Sequence, residues 1–77
     1  MNKQQRKRLN ELIEQVESIA TEIEEMASEE LEKYDNMPEG LQGSERGEAL
    51  YESSDNLQQA HDDLANWCDE VRDNLEV

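Results

Sequence analysis

Residues 9–27 read LNELIEQVESIATEIEEMA, and the spacing of their apolar side chains decides the fold. With Leu9 at position a of a heptad, apolar residues recur at positions a, d and e as far as Ala27. A strip of this width is typical of a helix in a bundle and is broader than the stripe of a two-stranded coiled coil. We therefore predict a long amphipathic helix over residues 3–34. The apolar positions are Leu9, Val16 and Ile23 at a, Leu12, Ile19 and Met26 at d, and Ile13, Ala20 and Ala27 at e.

A second apolar repeat predicts another long helix over residues 44–75. Its a positions recur every seven residues, and the d and e positions between them are small near the start and bulky near the end. Two helices joined by a short connection usually lie antiparallel. We expect Ser53 and Ser54 to face the Met26–Leu31 end of the first helix. We expect the later residues, Trp67, Val71 and Leu75, to pack near Leu9, Leu12 and Val16.

A chain of 77 residues forms one small domain, whose core is marginal without a disulfide, a metal or a partner chain. Cys68 is the only cysteine, so an intrachain disulfide is impossible. We predict an all-α, antiparallel two-helix hairpin that dimerises into a four-helix bundle. The predicted core and dimer residues are Leu9, Leu12, Val16, Ile19, Ile23, Met26, Leu50, Leu57, Leu64, Trp67 and Val71.

Residues 35–43 form the predicted connector between the helices. Pro38 ends the first helix, because proline has no N–H and forces the preceding residue towards extended geometry. We expect Leu41 to cover the exposed end of the bundle beside the connector, Gly43 to turn the chain and Ser44 to cap the second helix. Gly47 would cost its helix about 1 kcal/mol relative to alanine. It either admits another backbone or is merely tolerated. The connector residues assigned a structural or contact role are Asn36, Pro38, Leu41, Arg46 and Gly47.

The charge is strongly negative and unevenly distributed. Twenty-one acidic residues against seven basic ones give a net charge of −14, and four of the bases precede the first acid. Such a surface repels nucleic acid and anionic membranes and attracts basic protein surfaces. We predict that the acidic faces of the two helices bind a partner, with Glu45 and Glu76 extending them. Their members are Glu11, Glu14, Glu22, Glu25, Glu29, Glu32, Glu48, Glu52, Asp55, Asp62, Asp69 and Asp73.

Candidate catalytic and metal-binding groups lack the spacing that their chemistry needs. Di-metal sites in bundles use Glu-x-x-His, and the residue three before His61 is Gln58. One histidine and one cysteine do not supply a zinc site within one chain. His61 and Cys68 are two helical turns apart, about 10 Å along the axis, which is too far for a nucleophile and its base. We expect His61 to flank the core and Cys68 to pack as a small apolar group. We expect no enzymatic activity, no cofactor and no metal.

Residues 34–48, YDNMPEGLQGSERGE, resemble the connector of small, acidic, phage-encoded helical-hairpin proteins of uncharacterised function. The shared pattern, DNMPE-x-LQ-x-SE, is carried by residues 35–39, 41–42 and 44–45. By analogy, a small acidic phage protein implies an inhibitor of a host defence system that handles nucleic acid. Anti-restriction and anti-CRISPR proteins are examples of this class.

Two functions follow as expectations. The first is a DNA-mimic-like inhibitor, a cytoplasmic homodimer in the host cytosol whose carboxylate rows occupy the basic groove of a nuclease or CRISPR effector. It would bind protein alone, without direct contact to nucleic acid or membrane. The alternative is a structural or adaptor bundle, in which the acidic faces serve only solubility.

Overall fold

The computed structural model describes residues 1–75, and this part of the chain is predominantly helical, with no strand. The predicted all-α class is confirmed. Two long helices flank a single helical turn. The side chain of Leu75 and the whole of Glu76 lie outside the described residues, so the predictions made for them stay predictions. The helices span Lys3–Asp35 (α1), Glu39–Gln42 (α2) and Glu45–Leu75 (α3).

Local hydrogen bonds define both ends of α1. At its start, the Gln5 N–H donates to Asn2 Oδ1 at 2.8 Å, and the Asn2 N–H donates to Gln5 Oε1 at 3.0 Å. This reciprocal pair is a capping box and satisfies two N–H groups that have no partner within the helix. At the other end, the Asn36 N–H donates to the Glu32 carbonyl oxygen at 3.0 Å. Pro38 follows and cannot extend the helix, because it has no N–H to donate a helical hydrogen bond.

The connector is fastened to both long helices. Gln42 Nε2 donates to the Tyr34 carbonyl oxygen at 3.2 Å, which holds α2 against the end of α1. Ser44 caps α3 as predicted, since its Oγ accepts from the Gly47 N–H at 3.3 Å. The chain turns at Gly43 as predicted, but its φ of −83° is one that any residue adopts, so the turn does not need a glycine there. Leu41 is 52% exposed in the single hairpin, so its role at the end of a four-helix bundle stays a prediction.

Gly47 is buried because the connector crosses it at close range. A Cβ atom at this position would lie 2.7 Å from the Gln42 carbonyl carbon and 2.8 Å from the Leu41 carbonyl oxygen. No side chain fits in that space. The backbone conformation of Gly47 does not itself require glycine, because its φ is not positive. Of the two alternatives left by the sequence, Gly47 therefore serves the close approach of another backbone.

α1 and α3 lie antiparallel along most of their length. Ser54 Oγ donates to the Ala27 carbonyl oxygen at 2.9 Å, and Cys68 Sγ donates to the Ile13 carbonyl oxygen at 3.9 Å. As the residue number rises along α3, it falls along α1. The contact of Ser54 with Ala27 confirms that the small residues of α3 face the Met26–Leu31 end of α1.

The packing corrects the predicted core of the hairpin. The fully buried residues lie at position e, where small side chains let the two helices approach closely. None of the eleven predicted core residues, which are at a and d, is fully buried in the hairpin. Those at a are half-buried, and four at d are exposed: Leu12, Ile19, Met26 and Trp67. The buried set at e is Ile13, Ala20 and Ala27 on α1 with Gly47, Ser54 and Cys68 on α3.

Candidate protein-interaction surfaces

One side of the hairpin is an exposed apolar surface. Because the e positions of the antiparallel helices face one another, the a and d positions of both helices turn to the same side. We call this side the apolar face. Its outermost residues are the d positions, and about half of the surface of Ile19, Met26 and Trp67 is open to solvent, at 51%, 52% and 43%. These exposed apolar side chains make the apolar face a candidate interaction surface. The d positions of the apolar face are Leu12, Ile19, Met26, Ser53, Ala60 and Trp67.

The opposite side of the hairpin carries an ion pair that links the two helices. Arg72 Nη1 donates to Glu17 Oε2 at 3.1 Å, and Arg72 Nη2 donates to Glu17 Oε1. A bidentate pair of this kind has a defined geometry as well as charge attraction. The hydrogen bonds from Arg72 lower the pKa of Glu17, and the same bonds raise the pKa of Arg72. The sequence pattern did not reveal this pair, because it depends on how the helices are rotated about their axes.

His61 forms a second link on the same side. Its Nε2 lies 3.1 Å from Glu24 Oε2 on α1, and its Nδ1 lies 3.1 Å from Asp62 Oδ1. Hydrogen bonds from His61 and then Gln58 lower the pKa of the Asp62 carboxyl group. His61 is half-buried, at the edge of the core where it was predicted. Within residues 1–75, no group of three or more potential ligands is arranged to hold a metal ion.

Cys68 is buried between the helices and is only 1% exposed. Burial, which disfavours the charged thiolate, raises the pKa of this thiol. A buried thiol with a raised pKa is chemically inert at neutral pH. Cys68 therefore packs as a small apolar residue, as predicted.

The predicted acidic faces are exposed along the whole molecule. All twelve of their carboxylates point to solvent, at positions c, f and g of the two helices. Only two of them take part in an ion pair within the described residues: Glu11 with Arg8 at 3.4 Å, and Asp62 with His61. The molecule measures 59 × 16 × 13 Å. The acidic faces therefore form rows of largely uncompensated negative charge on the outer sides of a narrow rod.

Two basic groups interrupt this acidity at the connector end of the apolar face. Lys33 and Arg46 line an open pocket of about 670 Å³ whose apolar walls include Met37 and Leu50. Lys33 pairs with Glu30 at 3.2 Å. The predicted connector residues Asn36, Pro38, Leu41 and Arg46 all line this pocket, whereas Gly47 is buried. Lys33 could not be assigned to this group from the sequence, because it lies within α1 and reaches the pocket only where the chain reverses.

The four bases of the N-terminal segment lie at the other end of the rod, which we call the open end. All four are exposed: Lys3, Arg6, Lys7 and Arg8. The two ends of the molecule therefore differ in charge, with a basic cluster on α1 at the open end.

No family model matches the chain, and no curated protein or solved structure is detectably similar to it. Among the helices of residues 1–75, none has the length and apolar character needed to cross a membrane.

Proposed function

We propose that this chain is an acidic interaction protein that binds, and thereby inhibits, a protein whose basic surface normally holds nucleic acid. The exposed and largely unpaired carboxylate rows carry this proposal. A rigid array of negative charge attracts a basic groove through the same electrostatics that make DNA binding strong and sensitive to salt.

The charge density supports mimicry of a nucleic-acid duplex. Fourteen net negative charges over 59 Å amount to one charge per about 4 Å of length. Two such chains side by side would present one charge per about 2 Å. A DNA duplex carries one per about 1.7 Å of its axis. A homodimer would therefore approach the linear charge density of the ligand that it replaces.

The proposed active form is a homodimer in which the apolar faces of two hairpins meet in a four-helix bundle. Burying the exposed d positions would remove an apolar surface from water while leaving the acidic faces outside. The resemblance of the connector supports a phage-encoded protein that acts in the host cytosol. On that basis we propose a restriction or CRISPR nuclease as the class of partner.

The pocket beside the connector favours a second candidate function. Its apolar walls and two basic residues, Lys33 and Arg46, differ in chemistry from the rest of the surface. An adaptor protein would use this end of the bundle to hold a partner, and the acidic faces would then serve only solubility.

A pull-down from host lysate over a salt series tests the two candidates against each other. Mimicry predicts a captured nuclease or other nucleic-acid-binding protein that is displaced by duplex DNA and lost steeply between about 50 mM and 200 mM salt. A variant with Glu25, Glu32 and Glu52 changed to Gln should lose this partner, because these residues lie on the acidic faces at position c and do not flank the apolar face. A matched control with Lys3, Arg6 and Lys7 changed to Gln should keep it. Partners that resist both salt and DNA would contradict mimicry and support the adaptor function.

A further inference from the structure

We propose that a second copy of this chain covers the apolar face and lies end for end, so that each connector lies beside the partner's open end. This inference rests on the homodimer in the proposed function and adds the arrangement of the two chains.

The hairpin is long and wide enough for the interface of a stable dimer. The two longer dimensions of the molecule, 59 Å and 16 Å, enclose about 900 Å². A standard protein–protein interface covers about 800 Å² on each partner. The exposed d positions lie in the middle of this area, where the fully desolvated centre of an interface would form.

Two symmetric arrangements bring the apolar faces together. In the end-for-end arrangement, each helix lies antiparallel to its own copy, α1 on α1 and α3 on α3. In the same-end arrangement, both connectors lie at one end, and α1 lies on the partner's α3. Both are isologous, so the same surface is used twice and the assembly closes as a dimer.

Side-chain size favours the end-for-end arrangement. The midpoints of α1 and α3 fall at Ile19 and Ala60. We place the two-fold axis at this level, which brings each of these residues beside its own copy. Seven residues from Ala60 on either side lie Trp67 and Ser53, so each Trp67 would lie opposite the partner's Ser53. Large residues that face small ones fill an interface without voids.

The same-end arrangement fills the interface unevenly. The register set by the Ser54–Ala27 and Cys68–Ile13 hydrogen bonds places Leu12 within two residues of the level of Trp67, about 3 Å along the axis, and Met26 equally close to the level of Ser53. In that arrangement Trp67 would meet the partner's Leu12 at the open end, where two bulky residues coincide. Ser53 would meet the partner's Met26 near the connector. The two apolar faces would therefore lie closer together near the connectors than at the open end.

The charge at the connector end independently favours the end-for-end arrangement. Lys33 and Arg46 occupy the next d positions beyond Met26 and Ser53 and line one pocket. The same-end arrangement would bring together four of these cations, two from each chain, and like charges facing across an interface are strongly unfavourable. End for end, they would lie opposite the partner's Gln5 and Asn74, which are uncharged.

Positions g, which flank the apolar face, are compatible with this arrangement. Arg8 would lie opposite the partner's Glu29, and Gln15 opposite the partner's Glu22. Along α3, the acidic residues near the open end would lie opposite the partner's Ala49 and Asn56. No carboxylate at position g of either helix then faces another carboxylate at g.

Site-directed cross-linking distinguishes the arrangements, in full-length chains that carry Cys68→Ala and retain the helical circular dichroism of the wild type. We expect Ala60→Cys to join to its own copy through a short bismaleimide, giving a covalent dimer. We also expect a mixture of Leu12→Cys and Met26→Cys chains to cross-link. A cross-link between Met26→Cys and Ser53→Cys chains would instead establish the same-end arrangement and overturn the proposal.

Sedimentation equilibrium of the unmodified protein separates this inference from the proposed function. A monomer at all concentrations would overturn the dimer and its arrangement, even if the pull-down still recovered a partner that DNA displaces. Conversely, an end-for-end dimer that recovers no such partner would refute the mimicry and leave this inference intact.

Discussion

Ser54 lies against Ala27 across the hairpin, and its hydroxyl donates a 2.9 Å hydrogen bond to the Ala27 carbonyl oxygen. The contact between Cys68 and Ile13 lies fourteen residues later in α3 and fourteen residues earlier in α1. Two contacts at equal spacing fix the register of α1 against α3. Each of the α3 residues is small enough to let the backbones approach, and each provides a donor for a carbonyl oxygen of α1.

We expect Ser54→Ala to lower the free energy of unfolding by about 1 kcal/mol, the usual contribution of one hydrogen bond. Ser54→Leu should cost about 1–3 kcal/mol more, because the larger side chain overpacks the contact between the helices. Urea denaturation measures both effects. Ser53, which is half-buried on the apolar face, provides the control. If Ser53→Leu and Ser54→Leu have equal effects, the helices do not pack through position e.

Gly47→Ala should destabilise the protein, although alanine in a helix is normally favoured over glycine by about 1 kcal/mol. The added Cβ would collide with the backbone of Gln42 and force the connector away from α3. The controls are Gly40→Ala and Gly43→Ala, because a Cβ at either position meets no atom within 4 Å. Thermal denaturation should show a lower midpoint for Gly47→Ala alone. A higher midpoint for this variant would contradict the close approach.

A carboxylate at position e should act differently from one at position d. Ala20→Asp should unfold the chain, because an uncompensated buried charge costs several kcal/mol, about 3–5 by analogy with a broken buried ion pair. Met26→Asp should keep the helical circular dichroism signal, since Met26 is 52% exposed in the hairpin. It should instead dissociate the dimer, as measured by sedimentation equilibrium. Unfolding of the Met26→Asp variant at every concentration would show that the hairpin does not fold as a monomer.

The Glu17–Arg72 pair should make stability depend on pH in a defined direction. The folded-state pKa of Glu17 lies below its ordinary value of 4.5, so the pair stabilises the fold above pH 4.5. This stabilisation is lost as the pH falls through the lowered folded-state pKa. Glu17→Gln should therefore be less stable than the wild type at pH 7, and the difference should disappear in acid.

Urea titrations of the two proteins at several pH values measure this loss. Glu14→Gln reports the general effect of removing one negative charge, because Glu14 is exposed and forms no ion pair within residues 1–75. If Glu17→Gln follows Glu14→Gln at every pH, Glu17 and Arg72 do not stabilise the fold in solution.

When a charge at the dimer interface is reversed, the dimer dissociation constant should be restored only by reversing the acid that lies opposite it. Arg8→Glu should raise the dimer dissociation constant about five- to tenfold, since exposed ion pairs contribute up to about 1 kcal/mol each and the two-fold axis repeats the pair. Adding Glu29→Arg should restore the wild-type value, whereas adding Glu70→Arg should not. Both second changes alter the net charge equally. Rescue by Glu70→Arg alone would indicate the same-end arrangement.

The helices could be predicted from the sequence because the heptad pattern from Leu9 to Ala27 admits no other regular structure. The rotation of each helix could not be predicted, because positions a, d and e are all apolar in this stretch. The small residues Gly47, Ser54 and Cys68, spaced at multiples of seven, are the signal that marks position e as the closest contact. Exposure of the acidic faces followed directly from the pattern.

The cross-helix pair of Glu17 and Arg72 needed the register and rotation together, and neither residue stands out in its own helix. The pocket beside the connector could not be predicted from the sequence either. Lys33 and Arg46 are thirteen residues apart in sequence and meet only because the chain reverses between them.

The burial of Cys68 gives this protein an internal reporter of its own opening. Its thiol can react with a disulfide reagent only when α1 and α3 separate, so the labelling rate measures how often the hairpin opens. Any ligand that binds only the closed hairpin slows that rate by mass action. Dimerisation would appear as labelling that slows with rising protein concentration, and a captured partner would appear as a further slowing, without the introduction of any new cysteine.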